Sequence, residues 1–422
     1  MNPILPDPVT VKRTASTPRA RRLILLSALV VLALIATIAA VARADLGKIS
    51  VDDFIEYWSA GRLNLTGGNP YSPTQMLAME RSIGWEDELP VMMWNPPPTL
   101  TLVMPFGALP YLPARLLWLL VSGTLVVVAS DRLWHLYGGA PEKRGLALLL
   151  AVSFMPTLSV LQMGQIGVWI MAGVVGFLLF AHKERWLAAG ALFALAAIKP
   201  HVAYLVWAAL ALWWLSKPRW GVAVGGIGAL AVAWAIAMLV NPEVTAQYLD
   251  ATLNTPPLYW RTMTWGTILR LALGVEREGL QLVAPAIGLA WLLYWWFRRR
   301  VGWNWAEELP RLLLVSASTM AFGWFFDLVV LLPVAMQMGG WLSQERDGAL
   351  RRTVIVAYAV LQVAALAVNI ARLDAVYYIW FTPSLLLLYL FYAARRAPRA
   401  ALAASASGGF HRQGFDTGPA KD

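Results

Sequence analysis

The stretch Leu23–Ala42 reads LILLSALVVLALIATIAAVA and holds no charged residue. As a helix rising about 1.5 Å per residue it is about 30 Å long, which equals the thickness of the hydrocarbon core of a bilayer. A basic segment, residues 12–22, precedes it, and Ala42-Arg43-Ala44 at its end mimics a signal-peptidase site. Because a secretory core is usually only about 7 to 15 residues long, we expect an uncleaved membrane anchor.

The composition extends this interpretation to the whole chain. Of the 422 residues, 59% are hydrophobic and only 14% are charged, and the mean hydropathy is +0.59. Backbone groups inside a bilayer must be hydrogen-bonded within the protein, and apolar runs of about 15 to 20 residues suit helices rather than barrel strands. The predicted fold class is therefore all-α: a polytopic transmembrane helical bundle with about 11 to 13 membrane segments.

The topology follows from the basic residues. With the basic N-terminus in the cytoplasm, further spans are predicted at 112–130, 145–161, 166–181, 186–198, 202–216, 219–240, 281–297, 311–326, 328–342, 353–371 and 375–393. The clusters of lysine and arginine that follow the first span then fall on the cytoplasmic side: Arg132, Lys143, Arg144, Lys183, Arg185, Lys217, Arg219, Arg298, Arg299, Arg300, Arg346, Arg351, Arg352, Arg395 and Arg396. We therefore interpret the net charge of +10 as the topology signal of a plasma (inner) membrane protein with both termini inside, and expect no nucleic-acid partner.

The predicted domain organisation is a transmembrane domain at 23–394 between two disordered cytoplasmic tails, 1–22 and 395–422, whose composition cannot bury a core. Two sizeable loops, 43–98 and 241–280, fall on the external side, where we expect the function to lie. Some apolar runs are irregular. The run 186–198 is short for a span, and 99–109, which contains Pro105, is interpreted as a re-entrant or broken segment buried in protein.

The stretch from Ser50 to Leu63, SVDDFIEYWSAGRL, lies directly outside the first span. Its aromatic residues and Gly61 recur at helical spacing, which predicts an interfacial helix with one face on the membrane and its first-turn acids in water. Ser50 with Asp53 also fits a capping pair, and acids at the start of a helix interact favourably with its dipole. Taken alone, these acids are either structural or functional.

The motifs that continue from this stretch resemble glycosyltransferase family 87. They are Asp53-Phe54-x-x-Tyr57-Trp58-x-Ala60-Gly61-Arg62-Leu63, Gly67-Gly68-Asn69-Pro70-Tyr71 and Pro96-Pro97-Pro98-x-Leu100, with further matches at Gly164-Gln165, Lys199-Pro200 and residues 326–333. The resemblance covers roughly residues 45 to 340. It implies a GT-C-like fold and a polytopic enzyme that uses a polyprenyl-phosphate sugar as donor.

The resemblance also implies a catalytic base, because in that family an aspartate of the first external loop has this role. The matching position is Asp53, and Asp52 is the reserve candidate. A positioned carboxylate that takes the proton of an acceptor hydroxyl is typically worth about 10² to 10⁴ in rate. The leaving lipid phosphate requires cations, for which the candidates are Lys199, His201 and Arg261. Their ordinary alternatives are a snorkelling lysine, a hydrogen-bonded histidine and an interfacial arginine.

Sugar-binding candidates are polar residues near the external face. Gln162 and Gln165 flank Gly164 at a predicted external turn, where turn-capping amides are an equal alternative, and Tyr57 and Asn95 belong to the first-loop segment. Asp327 is an acid enclosed by apolar residues, which usually has a partner or a role. The sequence departs from the family before Asp327: a proline and a polar residue or histidine often stand there, and residues 318–324 read STMAFGW.

Other chemistries find little support. The chain has no cysteine and only four histidines in unrelated contexts, so we expect no metal site, and we expect no cofactor. No phosphate-binding loop or serine elbow is present. The leading hypothesis is a membrane transferase that moves a sugar, mannose or arabinose by analogy, from a lipid-linked donor to a glycolipid or glycan acceptor outside. The alternative is a transporter or flippase of a lipid-linked saccharide.

Overall fold

The computed structural model describes residues 52–254 and 260–408. The predicted anchor at 23–42 and the predicted tail at 1–22 lie outside the described residues, as does Ser50 of the proposed capping pair. Residues 409–422 also lie outside them.

All regular elements in the described part of the chain are helices, which confirms the predicted fold class. The α-helices, in chain order, are α1 Phe54–Leu65, α2 Pro73–Arg81, α3 Pro98–Gly107, α4 Tyr111–Leu136, α5 Gly145–Ser153, α6 Met155–Met163, α7 Gly167–Ala181, α8 Trp186–Phe193, α9 Tyr204–Ser216, α10 Trp220–Val240, α11 Val244–Asn254, α12 Trp265–Leu273, α13 Val283–Arg299, α14 Trp305–Thr319, α15 Leu332–Gln344, α16 Gly348–Ile370 and α17 Phe381–Gly408. Short 3-10 helices lie at Pro141–Lys143, Ala194–Ile198, Pro200–Ala203, Glu278–Leu282, Arg300–Gly302, Phe325–Leu331 and Ala375–Tyr378.

Six helical segments of the described residues are long and apolar enough to cross a membrane. They are Tyr111–Leu136, Trp220–Val240, Glu278–Gly302, Phe325–Gln344, Gly348–Ile370 and Ala375–Arg396. The chain is therefore a multi-pass membrane protein. The helices α5 and α6 pass the same test as a pair bent by 66°, and three shorter apolar segments lie at Gly167–Ala181, Trp186–Ile198 and Pro200–Ser216.

The bend between α5 and α6 has a local cause. Phe154 between them has an extended ψ of 104°, and Pro156 stands in the first turn of α6. Proline has no N–H for the preceding turn and crowds the residue before it, so a continuous helix is not possible there. The predicted span 145–161 is thus present as a broken segment.

A second break separates α8 from α9. The α-helix continues as a 3-10 helix over Ala194–Ile198, and Lys199 then has non-helical backbone angles, φ −135° and ψ 78°. Pro200 again prevents helix continuation. The predicted spans 186–198 and 202–216 are consequently two short pieces with Lys199 at the junction.

A third break corrects a predicted boundary. The spans expected at 311–326 and 328–342 meet near Asp327, but α14 ends at Thr319, and Met320 and Trp324 are extended. Helical structure resumes at Phe325, so Asp327 lies in the first turn of the next element and not at the end of α14. Within the segment Phe325–Gln344, 89% of the apolar window is buried inside the protein. Its irregular start is therefore shielded by protein, which is the setting in which a membrane segment tolerates such a backbone.

The helix expected from Ser50 to Leu63 is present as α1, but its surroundings differ from the expectation. Phe54, Tyr57 and Ser59 are fully buried, and Glu56 is 7% exposed. Glu56 in its first turn therefore faces the protein interior and not open water, whereas Asp52 and Asp53 before the helix are partly buried. Helix α3 covers α1 closely, because Gly61 and Gly107 allow the two backbones to approach: a Cβ on Gly61 would lie 2.7 Å from the Val103 oxygen.

The expected segment at 99–109 corresponds to α3, and its Leu100 and Val103 are fully buried. At the other end of the chain, α17 continues to Gly408, within the stretch 395–422 that was predicted to be a disordered cytoplasmic tail.

Candidate active site

Asp53 stands at the N-cap of α1, but its side chain does not cap the helix. Its Oδ2 instead accepts a hydrogen bond of 2.9 Å from Nε2 of Gln165. The free N–H of Phe54 at the helix start is bound by Asp52 Oδ1 at 3.2 Å. Asp52 thus accepts the hydrogen bond of the first helical N–H, and the Asp53 carboxylate is directed toward the turn that carries Gln165.

The turn before Gln165 depends on a glycine. Gly164 ends α6 with a left-handed φ of 68°, a conformation that favours glycine. A Cβ at this position would also lie 2.8 Å from the Phe54 Cβ. Gly164 therefore allows the start of α1 to press against the turn, which brings Asp53 within reach of Gln165.

Gln165 is the centre of a hydrogen-bond network. Its Oε1 accepts from the Tyr57 hydroxyl at 2.6 Å and from Lys199 Nζ at 3.1 Å. Two donors on one side fix the orientation of the amide, because only its oxygen accepts from them. The Nε2 group must then face Asp53. The residue itself is only 5% exposed.

Lys199 joins this network to Asp327. Its Nζ lies 2.9 Å from Asp327 Oδ1 and 5.1 Å from the centre of the Phe326 ring. Asp327 is 1% exposed, and its Oδ2 accepts from the backbone N–H of Trp324 at 3.0 Å. A carboxylate buried to this degree needs a partner, and Lys199 supplies the charge that compensates it.

Asp52 is held by different partners. Arg115 donates from Nε to Asp52 Oδ2 at 2.7 Å, and its Nη2 also donates to the backbone oxygens of Leu161 and Gln162. The contacts of Arg115 join the residue before Asp53 to the first turns of α4 and to the last turn of α6. Both oxygens of Asp52 are thereby engaged, whereas Asp53 Oδ1 receives no hydrogen bond from a described residue.

Burial raises the pKa values of the acidic side chains in this region. It raises the pKa of Asp53 above its usual value, against the hydrogen bond from Gln165 and the charge of Lys199, which lower it. Burial likewise raises the pKa of Asp52 to about 6, although Arg115 opposes the shift. It raises the pKa of Glu56 well above its usual range. Desolvation penalises each charged carboxylate, so Asp53 is a better proton acceptor than an exposed aspartate.

The sequence model of glycosyltransferase family 87 matches residues 94–324, more than half of the chain. The chain belongs to glycosyltransferase family 87. No curated protein and no solved structure shows a significant match to it. The match confirms the family resemblance, and it includes Gln165 and Lys199. Asp53 and Asp327 lie outside the matched residues.

The remaining candidates of this glycosyltransferase lie around the network. Asn95 is 4% exposed, and its Nδ2 donates to the backbone oxygen of Ile198 at 2.9 Å, directly before Lys199. It therefore supports the backbone at the second helix break. Gln162 is exposed, and its backbone oxygen is what holds Arg115.

Arg261 and His201 lie beside the network. Arg261 is exposed and follows Trp260, whose ring packs 6.0 Å from Trp94 and 5.9 Å from Trp324. This packing places the start of the segment after residue 260, in the loop predicted to be external, next to the segment that carries Asp327. The His201 ring lies 6.5 Å from the Phe322 ring. Neither side chain hydrogen-bonds to Asp53, Gln165, Lys199 or Asp327 within the described part of the chain.

Two residues beside the network were not selected from the sequence. Arg115 lies near the start of α4, at its predicted external end, where the topology predicted few positive charges, and this exception was the available signal. Glu56 stood in the quoted stretch but was interpreted as a water-facing acid, since burial of both faces of α1 has no signature in its spacing. The described residues contain no group of three or more acids and histidines that suits a metal ion.

Proposed function

We propose that this family 87 protein transfers a sugar from a polyprenyl-phosphate donor to a glycolipid or glycan acceptor on the extracytoplasmic face of the plasma membrane, with Asp53 as general base. The observation that carries the proposal is the amide of Gln165, which holds a carboxylate on one side and an ammonium group on the other. A base for the acceptor and a cation for the donor phosphate are thus positioned by the same side chain.

In the proposed reaction, Asp53 takes the proton of an acceptor hydroxyl as its oxygen attacks the anomeric carbon. The bond from that carbon to the phosphate oxygen breaks, and the electron pair leaves with the polyprenyl phosphate. A single displacement of this kind inverts the anomeric configuration. A phosphate is a good leaving group when its developing charge is neutralised, so the site needs cations more than a second proton donor.

Lys199 is suited to the phosphate because an ammonium group has three donors. Two of them point to Gln165 and Asp327, which leaves one for a ligand oxygen. Asp327 then acts as a positioning residue that keeps the ammonium group at the helix break. The exposed Arg261 is the proposed second cation, and it would approach the donor from the second external loop.

Asp53 is the preferred base over Asp52 because of their partners. A general base needs a carboxylate oxygen that the acceptor hydroxyl can reach. Both oxygens of Asp52 already accept hydrogen bonds, one from Arg115 and one from the Phe54 N–H. Tyr57 and Gln165 are then the proposed groups nearest the sugar. The sugar is proposed as mannose or arabinose by family analogy alone.

The test uses the full-length protein with radiolabelled polyprenyl-phosphate sugars and cell-envelope acceptors. Asp53→Asn keeps an oxygen that accepts from Gln165 but cannot take a proton, so we expect transfer to fall by about 10² to 10⁴. Asp52→Asn is the matched control, with a smaller loss of transfer and a lower melting temperature. Equal turnover by wild type and Asp53→Asn would exclude Asp53 as base, and no transfer from any lipid-linked donor would contradict the proposed donor class.

The family supports a transferase over the transporter or flippase. A transporter is expected to place its polar sites near the middle of the bilayer in two symmetric halves. The residues of this network instead gather at the predicted external ends of α1, α6 and the break at Lys199.

A further inference from the structure

A second polar site lies at the opposite end of the helix bundle. The helix α4 begins at Tyr111, whose ring is 5.7 Å from Phe54 beside Asp53, and it ends at Leu136, which lines a separate cavity of about 660 Å³. A helix of 26 residues is about 39 Å long. The cavity is therefore remote from the network around Gln165 and takes no part in the proposed transfer.

The cavity lies at the level where membrane segments end. The candidate spans terminate at Leu136, Gly302, Gln344 and Arg396. The lining includes Leu136 and Arg396 themselves and Trp341, three residues before Gln344. Its walls are thus built from helix ends, which in a bilayer stand at the depth of the lipid headgroups. The volume is within the range of about 300 to 1,000 Å³ that is usual for small-molecule sites.

The polar groups of the cavity suit an anion. Arg396 lies with its guanidinium carbon 4.7 Å from the centre of the Trp341 ring. Stacking uses the face of the guanidinium and leaves its N–H edge for a ligand, an arrangement that binds phosphate by two parallel hydrogen bonds. Within the described part of the chain, the guanidinium group of Arg396 makes no hydrogen bond. The Tyr389 hydroxyl of the deeper wall donates its proton to Gln337 Oε1 at 2.7 Å, so Arg396 rather than Tyr389 supplies the donors for an anion.

The acids near the cavity are largely engaged by other groups. Glu308 accepts from Trp295 Nε1 at 2.7 Å and pairs with Arg311 at 3.4 Å, and Glu345 accepts from the Tyr392 hydroxyl at 3.5 Å. Glu307 is the acid of the lining itself, and it is exposed. The charge of Glu345 also acts on Arg396, but Arg311 forms an ion pair with Glu308, so Arg396 is the more available of these two arginines of the lining.

The depth of the cavity identifies the source of the anion. Leu136 and Arg396 of its lining are the end residues of candidate spans, so a ligand at Arg396 lies at the level of the lipid headgroups. Leu387, Leu390 and Phe391, which are exposed on α17 within three turns of Arg396, mark the part of this helix that faces acyl chains. Basic pockets between membrane helices are known to bind lipid headgroups. We propose that this cavity binds the phosphodiester headgroup of an anionic membrane lipid, with Arg396 as its main contact.

The chain provides a matched control for the test. Arg395 is the adjacent arginine on the same helix, but it stacks on Phe391 and does not line the cavity. Full-length protein would be reconstituted in nanodiscs of phosphatidylcholine with a minor fraction of phosphatidylglycerol, and the retained lipids measured by native mass spectrometry. A charge-assisted hydrogen bond is worth about 1.5 to 3 kcal/mol, so we expect Arg396→Gln to weaken phosphatidylglycerol retention about 10- to 100-fold. Arg395→Gln should change it by less than about twofold, as expected for an exposed charge.

Two further measurements make the outcome decisive. Arg396→Lys keeps the charge and the stem but loses the planar fork, so it should fold normally and retain an intermediate amount of phosphatidylglycerol. Soluble glycerol phosphate serves as the probe for a free phosphate ligand. Equal losses in the Arg395 and Arg396 variants, or retention that does not depend on Arg396, would overturn the proposal. Glycerol phosphate binding that depends on Arg396, without any effect on lipid retention, would overturn the lipid source.

Discussion

The broken and the continuous membrane segments of this protein differ in their burial and in the polarity of the side chains that they carry. Helices α10 and α16 run without interruption, and only 17% of each apolar window is buried inside the protein. In the segment Phe325–Gln344, which starts with an irregular turn, 89% of the corresponding window is buried. Lys199 and Asp327 lie at breaks and Gln165 lies at the turn between α6 and α7, whereas the continuous helices present apolar side chains such as Val232 and Leu239 to the outside.

The physical reason is that a break exposes backbone groups and allows polar side chains to converge. In hydrocarbon such groups must be satisfied by protein, so a broken segment is stable only inside the bundle. There a charge also costs too much unless it is paired, which is why Lys199 and Asp327 occur together. The continuous helices separate the broken segments and their polar groups from the lipid.

The largest effect is expected from removing the charge at the second break. Lys199→Met should reduce transfer by about 10² to 10³, the range found when one preorganised stabiliser of developing charge is removed. It also leaves Asp327 as a buried unpaired carboxylate, which typically costs about 3 to 5 kcal/mol of stability. We therefore expect a lower melting temperature in detergent together with the loss of radiolabelled sugar transfer.

A double variant separates these two effects. Lys199→Met combined with Asp327→Asn removes both charges, so the melting temperature should recover while transfer does not. Recovery of transfer in the double variant would mean that Lys199 serves only to compensate Asp327. The comparison thereby tests whether the charges at the breaks have a chemical role or only a structural one.

A smaller effect is expected at the turn between α6 and α7. Gln165→Leu removes the hydrogen bond that lowers the pKa of Asp53, so this already raised pKa should rise further. The base works only when deprotonated, and activity is lost as the pH falls through its pKa. The acid limb of the pH–rate profile should therefore move to higher pH, with a loss of about tenfold in kcat.

Gln162→Leu is the matched control for this measurement, because Gln162 is an exposed glutamine three positions earlier. The acid limb should keep its position in that variant. An unshifted limb in Gln165→Leu would show that the titrating group is not the Asp53 carboxylate.

The sequence predicted the continuous helices better than the breaks. The expected spans 219–240 and 353–371 correspond closely to α10 and α16, because uninterrupted apolar runs have few alternative structures. Lys199-Pro200 also indicated a break, since proline cannot continue a helix. The interruption at Met320–Trp324 contains no proline, and the expected boundary was accordingly placed too late.

The candidate site was predictable as a set of residues but not as a network. Asp53, Gln165, Lys199 and Asp327 were each selected, by family motif or by a charge in an apolar setting. Their mutual contacts join residues more than a hundred positions apart, and no local pattern specifies such pairs: Asp53 meets Gln165 across 112 positions and Lys199 meets Asp327 across 128. The Asp52–Arg115 pair belongs to the same class of contact, and it is what distinguishes the two neighbouring aspartates.

The smallest effect is expected where a continuous helix supports a broken one. Helix α10 packs on α8 through glycines, and a Cβ on Gly225 would lie 2.0 Å from the Leu187 backbone oxygen. Gly225→Ala should therefore push the helices apart, lower the melting temperature and weaken transfer through displacement of Lys199. A Cβ on Gly228, one turn further, would meet no atom within 4 Å, so Gly228→Ala should instead stabilise α10 by about 0.5 to 1 kcal/mol. Melting curves that move in the same direction for both variants would show that helix propensity, and not the contact with α8, determines the stability of this pair.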